Sequence, residues 1–275
     1  MLSYRHSFHA GNHADLLKHA SLLVLLAHLR QKEKPFVCID THSGAGRYAL
    51  NSEQARKTGE AAGGILRLLQ ACEREPAMHP VLQQLAALVE LQPDATDPSA
   101  VIYPGSPAIA QAALREHDRL HLCELHNHEV RILRAGVGSD ARVHVHHRDG
   151  FEAAVALVPP TPRRGLMLID PAYEDKQDYE RVVRTVTAVH RRWATGIIAV
   201  WYPRLGRARD RSDWLTQRLA NVGPHTVAEL DVMPQTAEFG MHGSGMLIIN
   251  PPWQFAETML GVSQQLRDLL YSGQE

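Results

Sequence analysis

The feature that most restricts how this chain can fold is a rhythm of short apolar runs, most of them closing on an acid, separated by stretches with helical spacing. PFVCID (35–40), LHLCELH (120–126), RVHVHHRD (142–149), LMLIDP (166–171) and GIIAVWYP (196–203) have the length of strands. Between them, residues 108–117, 129–135 and 179–193 carry the 3.6-residue period of amphipathic helices. Strands alternating with helices predict βαβ units, and hence an α/β fold with a mostly parallel sheet and helices on both faces. HTVAELDVM (225–233) and GMLIINPP (245–252) add an antiparallel edge pair, for seven strands. Ahead of the first strand, Asn12 can cap a helix from residue 13 to about 32, with Asp15 in its first turn.

One interval breaks the rhythm. In a nucleotide-binding βαβ unit the acid ending the second strand follows the glycine loop by roughly 20 residues. Here Glu124 lies far beyond Gly46. The intervening ILRLLQACE (65–73) and HPVLQQLAALVELQ (79–92) are helical in spacing, and PDATDPS (93–99) follows as a turn. We read residues 52–102 as an inserted small helical subdomain. The whole chain, 1–275, is then one domain, with an N-terminal motif and helix over 1–34. Helix resumes after YPGSP, where Ser106 can serve as N-cap with Pro107 at the first helical position.

Charge and cysteine content narrow the setting. The 29 basic residues against 30 acidic ones give a net charge of -1, so any nucleic-acid contact must use a local basic patch. Cys38, Cys72 and Cys123 are far apart and form no CxxC pair, which suits a reducing compartment. The longest apolar run, 22–27, is too short for a bilayer, and no signal-peptide pattern opens the chain. The expectation is a cytoplasmic protein with no membrane partner, and nothing in the sequence suggests an obligate oligomer, so a monomer.

Four acids end four successive strands in a ring expected to face one crevice, which turns alone hardly explain. After Asp40 comes THSGAGRY, in which Gly44 and Gly46 allow a ligand close to the backbone. The GxGxxG of nicotinamide and flavin sites is absent, because Ala49 stands at its third glycine. Glu124 can accept from both hydroxyls of a ribose. Asp149 can accept from an adenine amino group, with Gly150 leaving room for the ring. Asp170 opens DPAY (170–173). An exocyclic amine is a poor nucleophile because its lone pair is delocalised. Acceptors on Asp170 and on the rigidly held Pro171 carbonyl would favour a pyramidal nitrogen and steady developing positive charge. Tyr173 can stack on a base drawn out of its helix.

DPAY resembles the (D/N)PP(Y/F) motif of S-adenosylmethionine-dependent amino-methyltransferases. More narrowly, LSYRHSFHAGNHADLLKH, DTHSGAGRY, YPGSP, ELH, RDGFEA, LIDPAYE, WYP and SGMLIINPPW stand in the order of the 23S rRNA (adenine(2030)-N(6))-methyltransferase family, RlmJ. One departure is Ala172 in place of the second proline; the carbonyl of interest belongs to Pro171, which is retained. The resemblance implies a Rossmann-like methyltransferase fold and S-adenosylmethionine as cofactor. It also implies methylation of adenine N6 in 23S ribosomal RNA, with His19, His42, Ser106, Glu124, Asp149, Gly150 and Asp170 at the cofactor. Asp170 would also accept the proton, and Tyr4 would meet the RNA. Arg5, Lys18, Arg204 and Arg207 are further RNA candidates, together with Arg209 and Arg211 in the same run.

Three other readings compete. Methyl transfer to DNA would use the same motif, but no DNA-reading module is recognisable. A nicotinamide oxidoreductase requires the missing glycine. A non-catalytic RNA-binding protein on the same fold would find its only hint in Ala172. His6, His9 and His13 lack the paired cysteine or acid of a metal site, so they are expected to line the cofactor mouth, and no metal is implied. His144, His146 and His147 are read as surface or cross-strand residues.

Overall fold

The structure, a computed structural model, describes residues 6–75, 77–90, 101–237 and 240–272. Its strands are β1 (Val37–Asp40), β2 (Arg47–Ala49), β3 (Ile102–Pro104), β4 (Arg119–Glu124), β5 (Val143–His147), β6 (Gly165–Ile169), β7 (Ile197–Leu205), β8 (His225–Asp231) and β9 (Met241–Ile249). Its helices are α1 (His13–Arg30), α2 (Glu53–Thr58), α3 (Ile65–Arg74), α4 (Pro80–Glu90), α5 (Ser106–Ala113), α6 (Asn127–Val137), α7 (Gly150–Ala156), α8 (Gln177–Arg192), α9 (Ser212–Ala220) and α10 (Phe255–Leu270). Two 3-10 turns, His6–Phe8 and Glu60–Gly63, complete the list.

Seven strands form one sheet in the order β5-β4-β1-β6-β7-β9-β8. β1 pairs in parallel with β4 and β6, β4 with β5, and β6 with β7, while β9 runs antiparallel to both β7 and β8. The α/β architecture and the antiparallel closing pair are as the sequence predicts. β1 and β6 are buried at every position because helices cover both faces. Cys38, Leu120, Leu166 and Leu168 turn to one face, with α1, α5, α6 and α10; Val37, Ile39, Met167 and Ile169 turn to the other, with α7 and α8. The chain changes direction of winding between β1 and β6, which opens a crevice at their carboxyl ends.

α1 begins as expected: the Asn12 side chain accepts from the Asp15 amide at 3.0 Å. Between β2 and β3 stand α2, α3 and α4, and β2 and β3 pair as a short ribbon beneath them. Ile65, Leu68, Leu82 and Leu85 of these helices share one apolar cluster with Leu22 and Leu25 of α1. The turn read at 93–99 lies outside the described residues. Two local expectations need correction. The N-cap of α5 is Gly105, and Ser106 is already helical, since its hydroxyl is taken by Asp40. α5 also stops at Ala113, well before residue 117. There Arg115 and Asp118 form a local ion pair, and Asp118 accepts from the Arg115 and Phe36 amides. Among the described residues, no helix is long and apolar enough to cross a membrane.

Candidate active site

The carboxyl ends of β1, β4, β5 and β6, with the segment before α1, surround a cleft of about 980 Å³. On one side, strand-end acids are held by nearby backbone. Both oxygens of Glu124 accept amide hydrogens, Oε2 from Gly44 at 2.8 Å and Oε1 from His126 at 2.6 Å. Gly44 needs its left-handed φ of 58° to present that amide. Burial raises the Glu124 carboxyl, and the two amides work against the rise. Each oxygen keeps a second lone pair, so a diol can still be accepted.

Asp149 caps α7, accepting from Phe151 at 2.9 Å and Glu152 at 3.2 Å, and its other oxygen meets Arg181 at 2.6 Å. The Arg181 guanidinium lies 4.1 Å over the Phe151 ring. Burial alone would raise the Asp149 carboxyl, but Arg181 and the two amides outweigh it and hold it low. Gly150, expected to leave room for a ring, lines the cleft and also has a packing role. A Cβ there would fall 1.9 Å from the Thr41 carbonyl, so this glycine lets α7 pack on the loop after β1. His42 bonds Thr41 Oγ1 at 2.8 Å and meets Phe151 edge-on; burial brings it down to about 4, so its ring is neutral.

His19 is 1% exposed, and its Nδ1 lies 2.6 Å from the Tyr103 hydroxyl. Burial lowers it to about 3, and Nε2, without a hydrogen-bond partner among the described residues, belongs to a residue lining the cleft. Ser106 also lines the cleft. Asp40 departs from the expected ring of four acids: it lies beneath the loop at 1% exposure, accepting from Ser106 at 2.7 Å and the His42 amide at 3.3 Å. Burial pushes its carboxyl up to about 6.

The other side of the cleft is built across long stretches of sequence. Asp170 Oδ2 receives Lys18 Nζ at 2.7 Å, and the same ammonium meets Asp15 Oδ1 at 2.8 Å. Asp15 Oδ2 lies 2.8 Å from His6 Nε2 and accepts from the Gly11 amide at 2.9 Å. Burial would lower the Lys18 ammonium, but the two carboxylates outweigh it and raise it well above its ordinary value. Lys18, expected to meet RNA phosphates, is thus a buried partner of Asp170. Among the described residues Asp170 Oδ1 receives no hydrogen bond, so it remains available to a ligand.

The DPAY turn is strained. Tyr173 has φ 53°, costly for an aromatic residue, and it is 9% exposed. Its hydroxyl donates to the Trp201 carbonyl at 2.7 Å, and its ring packs on Tyr179 (4.6 Å between centroids) and Trp201 (5.9 Å). With its ring packed this way, Tyr173 braces the turn rather than offering a free surface for a base.

Of the remaining RNA candidates, Tyr4 and Arg5 lie outside the described residues. Arg204 pairs with Glu229 at 2.6 Å and Asp231 at 3.3 Å, which spends its charge inside the sheet edge. Arg207 is exposed beyond β7, while Arg211 rests on Trp214 and Tyr179. His6 and His9 line the cleft mouth, and His121, His144 and His146 stack across β4 and β5. Among the described residues no group of three or more His, Cys, Asp or Glu is placed to hold a metal. The sequence reading passes over Arg181 and takes Lys18 for an RNA contact rather than for the partner of Asp170. A signal for Lys18 existed: Asp15 and Lys18, at i and i+3, are an ion pair set in a leucine-rich helix.

The profile of the family described as ribosomal RNA large subunit methyltransferase D, RlmJ, matches residues 33–274. The chain is 43% identical over 271 residues to ribosomal RNA large subunit methyltransferase J of Escherichia coli K12, covering 98% of this chain and 94% of that one. It is 41% identical to the protein of the same name from Haemophilus influenzae, covering 94% and 90%. A crystal structure of a Legionella pneumophila protein superposes with a TM-score of 0.85 at 33% identity, over 95% of this chain and 94% of that one. With matches of this extent to profile, sequence and fold, the chain belongs to the RlmJ family of ribosomal RNA large subunit methyltransferases.

Proposed function

We propose that this protein transfers the methyl group of S-adenosylmethionine to the N6 amino group of one adenine in 23S ribosomal RNA, position 2030 by family resemblance. It would act in the cytoplasm as a monomer, since one chain supplies the whole cleft. The observation that carries the reading is Asp170, set by Lys18 at the end of β6 with one oxygen free among the described residues, beside Pro171 in a turn braced by Tyr173.

The residues present fit the cofactor. Glu124 offers spare lone pairs for the ribose hydroxyls, and Asp149 marks the adenine side. The unpartnered Nε2 of His19 and the hydroxyl of Ser106 offer polar contacts within the same cleft. When bound, S-adenosylmethionine supplies an electrophilic methyl on a sulfonium. Asp170 Oδ1 and the Pro171 carbonyl would accept the two N–H bonds of the target amine and orient its lone pair toward that methyl. Asp15, Lys18 and Asp170 together carry one net negative charge, which favours the transient cationic nitrogen. Asp170 would then take the proton that nitrogen sheds. Arg207, with Tyr4 and Arg5, would meet the RNA around the target base.

The test is methyl transfer from labelled cofactor to protein-free 23S rRNA from cells lacking the enzyme, with the product mapped by nucleoside mass spectrometry. N6-methyladenosine at a single site is expected. Label entering DNA in preference, or no label despite calorimetric cofactor binding, would overturn the proposal.

A further inference from the structure

The helical insertion reaches the cleft through Glu60, in the 3-10 turn Glu60–Gly63. Its Oε1 lies 2.8 Å from His9 Nδ1, and its Oε2 accepts from Asn12 Nδ2 at 2.9 Å. Asn12 uses its remaining amide atom to cap α1. The backbone alongside is pinned as well. The Ile65 amide donates to the Gly11 carbonyl at 2.8 Å, and the Thr58 hydroxyl donates to the Phe8 carbonyl. A Cβ on Gly64 would stand 2.1 Å from the Gly11 carbonyl oxygen, so the two segments approach as closely as backbone permits. The His9 amide in turn donates to the His6 carbonyl at 2.8 Å, so placing His9 also places His6.

The geometry points to Glu60 as a positioning residue for methyl transfer. It holds residues 6–12 in register so that His6 and the Gly11 amide close on Asp15, and through Asp15 and Lys18 it sets the Asp170 carboxylate. This rests on the methyltransferase reading above. The insertion thereby acquires a task at the reacting end of the cleft: it is the clamp for the segment that completes the Asp170 side. Glu60 acts through His9 and Asn12, not on the reacting atoms.

Four single variants and a double variant test this. Glu60→Ala should lower kcat on 23S rRNA by about ten- to a hundredfold, the range that a misplacement of about 1 Å produces. Cofactor Kd by calorimetry should stay within about twofold, because the Glu124 side is untouched. Glu60→Gln should recover part of the loss, since its amide oxygen can still accept one of the two bonds. Leu82→Ala, a cavity in the insertion's core, should lower Tm yet leave kcat unchanged at a temperature where all variants are folded. Adding Glu60→Ala to His6→Ala should cost less than Glu60→Ala costs alone, because Glu60 reaches Asp15 in part through His6. An unchanged kcat in Glu60→Ala, a fully multiplicative double variant, or a loss that tracks Tm as in Leu82→Ala would overturn the proposal. The His6 imidazole signals by NMR separate this from a failure of the functional reading. Should the wild type methylate no RNA, Glu60→Ala must still shift those signals away from their Asp15-bonded position, and their constancy would sink the inference alone.

Discussion

The two halves of the cleft hold their carboxylates by different means. Glu124 and Asp149 are fixed mainly by backbone amides, those of His126 and of Gly44 in the loop after the neighbouring strand β1, and those of Phe151 and Glu152, with Arg181 added beside Asp149, so strand ends and helix starts do most of the aiming. Asp170 is aimed by a lysine 152 residues earlier, itself held by Asp15 within α1. A site for a small cofactor can be made of local turns. The Asp170 side has instead a rigid, charged support, which comes from a different layer of the fold.

That contrast can be broken or sharpened by substitution. The largest effect should come from Lys18→Met, which leaves Asp15 and Asp170 buried without their shared cation. Breaking a buried ion pair costs about 3–5 kcal/mol, read by urea unfolding, and turnover should fall with it. A loss under about 1 kcal/mol would mean that Asp170 is held by something else. Asp170→Ala should reduce kcat by at least about 10²–10³-fold, the effect of removing a preorganised electrostatic group, while the fold survives by circular dichroism. Retained activity would take Asp170 out of its role. On the other side, Glu124→Ala should weaken cofactor binding by about 1–3 kcal/mol, the worth of a hydrogen bond to a charged group. Turnover at saturating cofactor should change far less, and an unaltered Kd would dissolve the contrast.

The smallest effect concerns acid stability. His19 and His42 are neutral in the fold, with burial bringing them to about 3 and about 4. Below their ordinary 6.5 the unfolded chain binds protons that the folded chain does not, so both remove stability as pH falls from 6.5 toward 4. Asp40, raised to about 6, acts oppositely between 3.8 and 6, because there the folded state binds the extra proton. Asp40→Asn should therefore steepen the loss of stability on acidification across that window by up to about 1.4 kcal/mol per pH unit. Parallel profiles for the two proteins would show that Asp40 is ionised in the fold throughout.

The βαβ rhythm, the edge pair and the positions of acids at strand ends were legible in the sequence, because each of those is a local pattern. What depends on pairing across distance was not. Nothing near Asp170 announces Lys18, and nothing in the insertion announces Glu60, since both meet their partners only after α1 has packed. Asp40 looked like its three counterparts, yet the loop after β1 turns over it and hands it Ser106 from α5. Tyr173 was read from its type; its packing on Tyr179 and Trp201 is set by α8 and β7. The ribbon of β2 and β3 was too short, at three residues a strand, to stand out as a periodic signal.

The long reach from Lys18 to Asp170 also orders events in time. At a synthesis rate of about 5–20 residues per second, roughly eight to thirty seconds separate the two residues as they leave the ribosome. During that interval Asp15, three positions away on the same helix, is a partner already at hand for the lysine charge. The Asp170 carboxylate joins the pair once β6 has added to β1. A partly made chain can therefore contain the glycine loop and the Glu124 turn, but the Asp170 side of the cleft is complete only when the centre of the sheet has closed.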